Sequence, residues 1–279
     1  MTYGDDRDRV VPEVKTFDAA TVTYDEIFSA IIQAGGCIIR NILSADILAE
    51  IEKDTRHHIE ADKPWGGSIF PIQTCCVRGL ASKSKAYMDS VVAYSKFQDI
   101  CETLLASTTK NWVGNEIETS VSHPQLNNTL LFFSIGPGAS NQPLHRDDML
   151  HHHYTLRKEP PDYEIGQDSA IGFFIGGKKT TKANGATRFI PGSHLWDHMT
   201  LCVEELTYYA ELELGDGFIV LASCYHCGSA NTTEDQEKLA YSCFMAKGYL
   251  RQFEENQYLK NDPAILTNLH NEEMLAYLI

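Results

Sequence analysis

Hydrophobic rhythm along this chain is helical, then β-like, then helical again. Up to about residue 125 apolar positions recur at helical spacing; from residue 126 they fall in short runs, solid or alternating, cut by turn residues. Over residues 25–33, Ile27, Phe28, Ile31 and Ile32 share one helical face, and Gly35-Gly36 ends the pattern. Cys37-Ile38-Ile39 reads as a short buried strand. Ser44 can cap a second helix whose inner face is Ile47, Leu48 and Ile51, and the spacing predicts one further helix over residues 83–106.

Strand signals follow. Residues 129–135 end at Gly136-Pro137-Gly138, and residues 170–175 end at Gly176-Gly177. Asn184-Gly185 has the composition of a type I′ hairpin turn. Residues 209–214 alternate, Gly215-Asp216-Gly217 reverses the chain, and residues 218–222 run apolar toward Tyr225-His226. Residues 238–246 make a last strand. Helix-like stretches at 254–260 and 264–275, separated at Pro263, are expected to pack on the β core or on a second subunit. Together these predict a mainly β chain with flanking α-helices, an antiparallel sandwich or barrel. One domain is expected over 1–279: 1–125 mainly helical, 126–250 the β core, and 251–279 a helical tail.

Charge narrows the function classes. With 23 Lys and Arg against 38 Asp and Glu, the formal charge of −15 repels nucleic acid and anionic membranes. Apolar runs fall well short of the ~18 residues of a membrane span, so a soluble cytoplasmic protein is expected. Eight cysteines, with Cys75 beside Cys76, do not resemble a disulfide framework. Cys224 and Cys227 have the spacing of a zinc knuckle but no second pair to complete it.

The most informative segment is Gln142-Pro143-Leu144-His145-Arg146-Asp147-Asp148. In a strand, positions i and i+2 share a face, so His145 and Asp147 converge. His226, at the end of a late strand, can complete a two-His, one-carboxylate set that suits Fe(II) and leaves coordination positions open for oxygen. Taken alone, the tripeptide is a weak signal and reads more readily as a polar strand end with ordinary hydrogen bonds; the context of His226 reverses that preference. His151-His152-His153 are rival ligands, although three consecutive side chains in a polar loop more often face solvent or substrate. Cys224 stands on the same strand face as His226 and is read as a buried small residue rather than a ligand.

The order of these motifs resembles the phytanoyl-CoA dioxygenase superfamily, especially its fungal secondary-metabolism branch. The likeness runs through Gly35-Gly36-Cys37, the His145 segment, Asn184-Gly185-Ala186-Thr187, Pro191-Gly192-Ser193-His194, Leu214-Gly215-Asp216-Gly217 and His226-Cys227-Gly228. It implies a double-stranded β-helix, a cupin-like jelly roll, with Fe(II) on His145, Asp147 and His226 as catalytic metal ligands. It also implies 2-oxoglutarate as co-substrate and a homodimer. Gln142 would bond the co-substrate, and Thr187 would approach its carboxylate. His194 takes no ligand role. Where members carry an arginine after the last metal histidine this chain has Lys238, a point donor in place of a planar fork; where the fungal branch places another, it has Cys75, with Arg78 nearby.

The resemblance implies oxidation of a small organic substrate, a fungal secondary metabolite, by ferryl hydrogen abstraction with O2. Tyr154, Phe132 and Phe174 are candidate pocket residues, with core packing as the plainer reading for each Phe. Lys238 and Cys75 keep open an iron oxygenase that does not use 2-oxoglutarate. A third reading is a non-catalytic jelly-roll partner of an active homologue.

Overall fold

Helix α1 (Tyr24–Ala34) begins in a capping box: the Thr23 side chain accepts from the Glu26 N–H, and the Glu26 carboxylate accepts from the Thr23 N–H. It buries Ile27, Ala30, Ile31 and Ala34 and stops at Gly35, whose φ of +76° suits glycine. A Cβ there would sit 2.2 Å from Cys224 Sγ and 2.6 Å from His194 Nδ1. The end of α1 is thereby held close against Cys224, two residues before His226 in the chain. The computed structural model describes residues 10–62 and 70–252; the helix-like stretches expected at 254–260 and 264–275 lie outside them.

Twelve strands are described: β1 (Thr16–Asp18), β2 (Gly36–Arg40), β3 (Thr74–Arg78), β4 (Ser107–Val113), β5 (Glu116–Ser122), β6 (Gln125–Ile135), β7 (Ala170–Gly176), β8 (Thr187–Phe189), β9 (Tyr208–Ala210), β10 (Gly217–Leu221), β11 (His226–Gly228) and β12 (Lys238–Ala246). One sheet runs β1-β2-β10-β7-β12-β6-β3, a second β11-β8-β9, and β4-β5 form a separate two-stranded ribbon. Phe189 of the small sheet meets Phe218 of the large one at 5.0 Å between ring centres, so their facing sides share one core. This is the expected mainly β jelly roll.

Helices cover the outer side of the large sheet. After α2 (Ala45–Ala61) come α3 (Lys85–Tyr87) and α4 (Ser95–Leu105). Phe97 stacks on Phe173 at 4.7 Å, and the Tyr87 hydroxyl donates to the Ser242 carbonyl at 2.5 Å. Hence β12 is buried on both faces.

Two local expectations are corrected. The single helix over 83–106 is broken: α3 passes into a π turn at Met88–Val92, and Tyr94 leaves helical geometry before α4. The Gln98 side chain satisfies the Val92 carbonyl at 2.6 Å, which removes the polar cost of the break, while both pieces bury the same side and preserve the apolar period. Asn184-Gly185 is no type I′ hairpin. Only Gly185 has positive φ (+101°), and the flanking β7 and β8 belong to different sheets. Asn184 instead pins the loop, accepting from Thr181 N–H at 2.7 Å and donating to the Lys179 carbonyl at 2.9 Å.

Candidate metal centre

The chain around His145 runs antiparallel to β11. The His145 N–H donates to the His226 carbonyl at 3.0 Å, and the His226 N–H donates back at 2.8 Å. Residues opposed in this way project to the same face. Arg146 is extended (φ −117°, ψ 132°), so Asp147 returns to the face of His145 before the 3-10 turn Asp147–His151 begins. The result brings the three together: one donor atom from each lies within 4.8 Å of the others.

Their orientation is set by the backbone. His145 Nδ1 lies 2.8 Å from the Pro143 carbonyl, and His226 Nδ1 lies 3.0 Å from that of Cys224. Each Nδ1 therefore carries the hydrogen, and each Nε2 lone pair points to Asp147, at 3.4 Å from Oδ1 and 3.4 Å from Oδ2 respectively. Three lone-pair donors facing one another repel unless a cation or a shared proton lies among them; two imidazoles and a carboxylate are a donor set that fits Fe(II). A proton shared between the rings and the carboxylate can take the cation's place, and the electrostatics show that pull. Burial raises the Asp147 carboxyl, but the His226 and His145 rings outweigh it and hold it well below the usual carboxylate range. Burial lowers His226, yet the Asp147 carboxylate carries it above its ordinary value.

Strand alternation sends the neighbours of these residues the other way. Arg146 is buried and donates to Thr155 Oγ1 and to the Ser193 and Trp196 carbonyls, while Tyr225 donates from its hydroxyl to the Thr200 carbonyl. Asp148 is also buried, which pushes its carboxyl up to about 7 against the pull of Arg146. None of these supporting roles was expected from the sequence, although a charged residue between two ligands of alternating phase is the signal that could have suggested Arg146.

The remaining site residues are distributed as follows. Lys238, at the start of β12, is 2% exposed and its ammonium donates to Thr187 Oγ1 at 3.3 Å. Burial brings that amine down to about 7, with Cys227 pulling the other way. Gln142 Oε1 accepts from the Gly228 N–H at 3.1 Å, which turns its NH2 group elsewhere. With Gly228, Thr74 and Ile135 it lines a small cleft. Cys75 Sγ instead faces Asp62 Oδ2 at 3.1 Å and the Ile59 carbonyl at 3.2 Å, tied to the end of α2, and Arg78 is exposed.

His151 and His153 stand outside the triad, both held below their ordinary values by burial. His194 is buried with Nε2 at 3.0 Å from the Ile32 carbonyl. Cys224 packs against Gly35 and Cys227 accepts from Arg188 Nε at 3.1 Å, so neither joins the cluster. Phe174 is core, edge-on to Phe244 at 5.4 Å, whereas Tyr154 is exposed with its ring tilted against that of His198. The Phe132 side chain lies outside the described ones.

Comparison with known proteins follows the same line. The family model described as Phytanoyl-CoA dioxygenase (PhyH) matches residues 32–239. The dioxygenase himG of Aspergillus japonicus is 38% identical over 260 residues, covering 89% of this chain and 80% of its own. The dioxygenase peniF of Penicillium patulum is 36% identical over 241 residues, covering 86% and 77%. Among solved structures, the non-heme alpha ketoglutarate dependent carbocyclase SnoK from nogalamycin biosynthesis superposes with a TM-score of 0.56 at 14% identity, covering 88% of this chain and 92% of its own. The epimerase SnoN from the same biosynthesis gives 0.54 at 15%, covering 80% and 82%. At such identities these two establish the likeness of fold.

Proposed function

The chain belongs to the phytanoyl-CoA dioxygenase family, and from that premise we propose that it is an Fe(II)- and 2-oxoglutarate-dependent dioxygenase whose iron is held by His145, Asp147 and His226. The observation that carries this reading is the aim of two Nε2 lone pairs at one ionised carboxylate. Iron(II), when bound, supplies the coupling of O2 reduction to decarboxylation: 2-oxoglutarate gives succinate and CO2, one oxygen atom enters succinate, and the other enters a substrate C–H bond.

The protein's part is positioning. The Pro143 and Cys224 carbonyls hold the two rings in the Nδ1–H form, and the depressed carboxyl of Asp147 keeps it an anionic donor at neutral pH. Lys238 and Thr187 take the far carboxylate of 2-oxoglutarate: an ammonium in so dry a place gains more from an incoming anion than a wet one would. Gln142 offers its NH2 group from the strand end before His145. The substrate is a small organic molecule, a fungal secondary metabolite. The enzyme acts as a single domain over 1–279, is cytoplasmic and pairs as a homodimer. Among the described residues no helix is long and apolar enough to cross a membrane.

The test is anaerobic titration with ferrous iron and then 2-oxoglutarate, followed by succinate measurement in air. One iron per chain and a visible charge-transfer band on adding 2-oxoglutarate are expected. Replacement of the family's arginine by Lys238 favours one second reading, an iron oxygenase that draws electrons from its organic substrate; product formed without succinate would establish it. Failure to retain iron would favour a non-catalytic partner subunit.

A further inference from the structure

The β4-β5 ribbon stands apart from both sheets. Its seven cross-strand pairs run from Ser107↔Ser122 to Val113↔Glu116, and every strand residue from Thr108 to Val121 is exposed. Trp112, Ile117 and Val121 are 71%, 58% and 47% exposed. Residues opposed in an antiparallel pair share a face, so Trp112 with Ile117, Lys110 with Thr119 and Thr108 with Val121 make one side of the ribbon. Glu116 and Glu118 lie on the other. A two-stranded ribbon is marginal in water by itself, and its row of unpaired backbone groups is a template for another strand.

The turn decides which backbone groups point outward. Val113 and Glu116 are opposed across the two-residue loop Gly114-Asn115, and Gly114 has φ +64°, as a type II′ turn requires. The residues flanking such a loop exchange both of their hydrogen bonds, and bonded pairs then recur down the ladder at Asn111–Glu118 and Thr109–Ser120. The N–H and C=O groups of Ile117, Thr119 and Val121 therefore face away from β4, with no ladder partner among the described residues. These three positions are symmetric about Thr119, the middle residue of β5.

We propose that two copies of this chain pair along β5, antiparallel and centred on Thr119, so that their ribbons join into one four-stranded sheet. That register sets the outward backbone groups of Thr119 against those of the partner's Thr119, and those of Ile117 against the partner's Val121. Glu116 and Glu118 then stand opposite the partner's Ser122 and the partner's Ser120, so no like charges are directly opposed. Trp112, Ile117 and the partner's Val121 form one apolar row. Other registers lose this match: slips toward the turn by one or two residues set Val121 against Glu116 or Glu118 against the partner's Glu118. The equivalent pairing of β4, centred on Lys110, opposes two lysines, and β4 on β5 of the next copy is head-to-tail and does not close. The site stays open in such a dimer. From the ribbon, β6 runs roughly 33 Å before Ile135 reaches Lys238 and Gln142. The inference rests on the homodimer reading above and supplies its contact.

Sedimentation equilibrium of the iron-loaded full chain, over about 1 to 200 μM, tests it, and a monomer–dimer equilibrium is expected. Thr119→Pro removes an outward N–H that the ribbon itself does not use, and by symmetry two hydrogen bonds between copies go with it. The dimer dissociation constant should rise about 30-fold or more. Lys110→Pro makes the same change on the outward edge of β4 and should leave the constant within about threefold. Thr119→Cys, with paired Cα atoms about 5.5 Å apart, should form more disulfide-linked dimer under oxidised glutathione than the wild type does. A dimer unmoved by Thr119→Pro, or weakened equally by Lys110→Pro, overturns the contact and leaves the homodimer standing. Should a proline variant lose its iron through misfolding, the cross-link decides, and no excess over the wild type overturns the contact. A monomeric wild type overturns both readings. Vesicle binding abolished by Trp112→Gln would then give the ribbon face to a lipid surface, and Trp112 shielded from acrylamide without vesicles would give it to residues 253–279 of the same chain. The charge-transfer band with 2-oxoglutarate reports on the dioxygenase reading separately.

Discussion

The Arg146 guanidinium lies 4.2 Å over the ring of Tyr225. Each is the outward-facing neighbour of an inward-facing candidate ligand, so the alternation that gathers His145, Asp147 and His226 on one side also makes this stack on the other. The cation–π contact and the partners of Arg146 tie the two ligand-bearing segments to each other and to the chain at Thr155, Ser193 and Trp196.

Replacing Arg146 with Met should therefore cost stability as well as function. The Ser193 and Trp196 carbonyls lose a buried charged donor, and a loss on the order of 3 kcal/mol is expected, read as a lower urea midpoint. Arg146→Lys should recover only part of it, since a point charge cannot serve several acceptors in one plane. A midpoint unchanged in Arg146→Met would mean that the stack does not support the site.

His226→Ala removes one of the two aimed lone pairs. Ferrous iron affinity should fall by at least about 100-fold, beyond the loss typical of outer-shell partners, with turnover falling in parallel. Metal analysis after anaerobic gel filtration decides it, and full iron retention would refute the ligand assignment.

Lys238 makes co-substrate binding depend on pH. In the folded protein its amine titrates near about 7 because it is buried, while an unfolded lysine stays protonated to about 10.4. Below about 7 both states are charged and the full cost of burial is present; between about 7 and 10.4 the unfolded chain binds the extra proton, so stability from this group rises with pH. Affinity for 2-oxoglutarate runs the other way. Above about 7 a proton must be taken up with the anion, and the dissociation constant should rise by up to about tenfold per pH unit. Anaerobic titrations of the charge-transfer band from pH 6.5 to 8.5 measure this, and Lys238→Arg should flatten the profile. A flat wild-type profile would remove Lys238 from the co-substrate site.

Gly35→Ala places a Cβ 2.2 Å from Cys224 Sγ at a φ of +76°. Strain and clash together should destabilise by roughly 1–3 kcal/mol. Because the Cys224 carbonyl holds the His226 ring, iron affinity should fall with it. Thermal melts of the apo protein and iron titration separate the two effects; a melt matching the wild type would show that the close approach is dispensable.

Much of the site was legible along the chain because its determinants are local. Periodicity placed α1, the start of α2 and strands β2, β7, β10 and β12, since a buried face recurs with the period of the element that carries it. The i, i+2 phase of His145 and Asp147 is a property of any extended segment. Local pattern has no access to contacts between distant segments. The opposition of His145 to His226, the tautomers set by the Pro143 and Cys224 carbonyls, the turn of Cys75 toward Asp62, and the stack of Arg146 on Tyr225 arise only when two sheets close over one core. The candidate donor residues and their facing were written in the residue order; register, ring orientation and the support behind those residues come from long-range strand pairing, which a one-dimensional period does not encode.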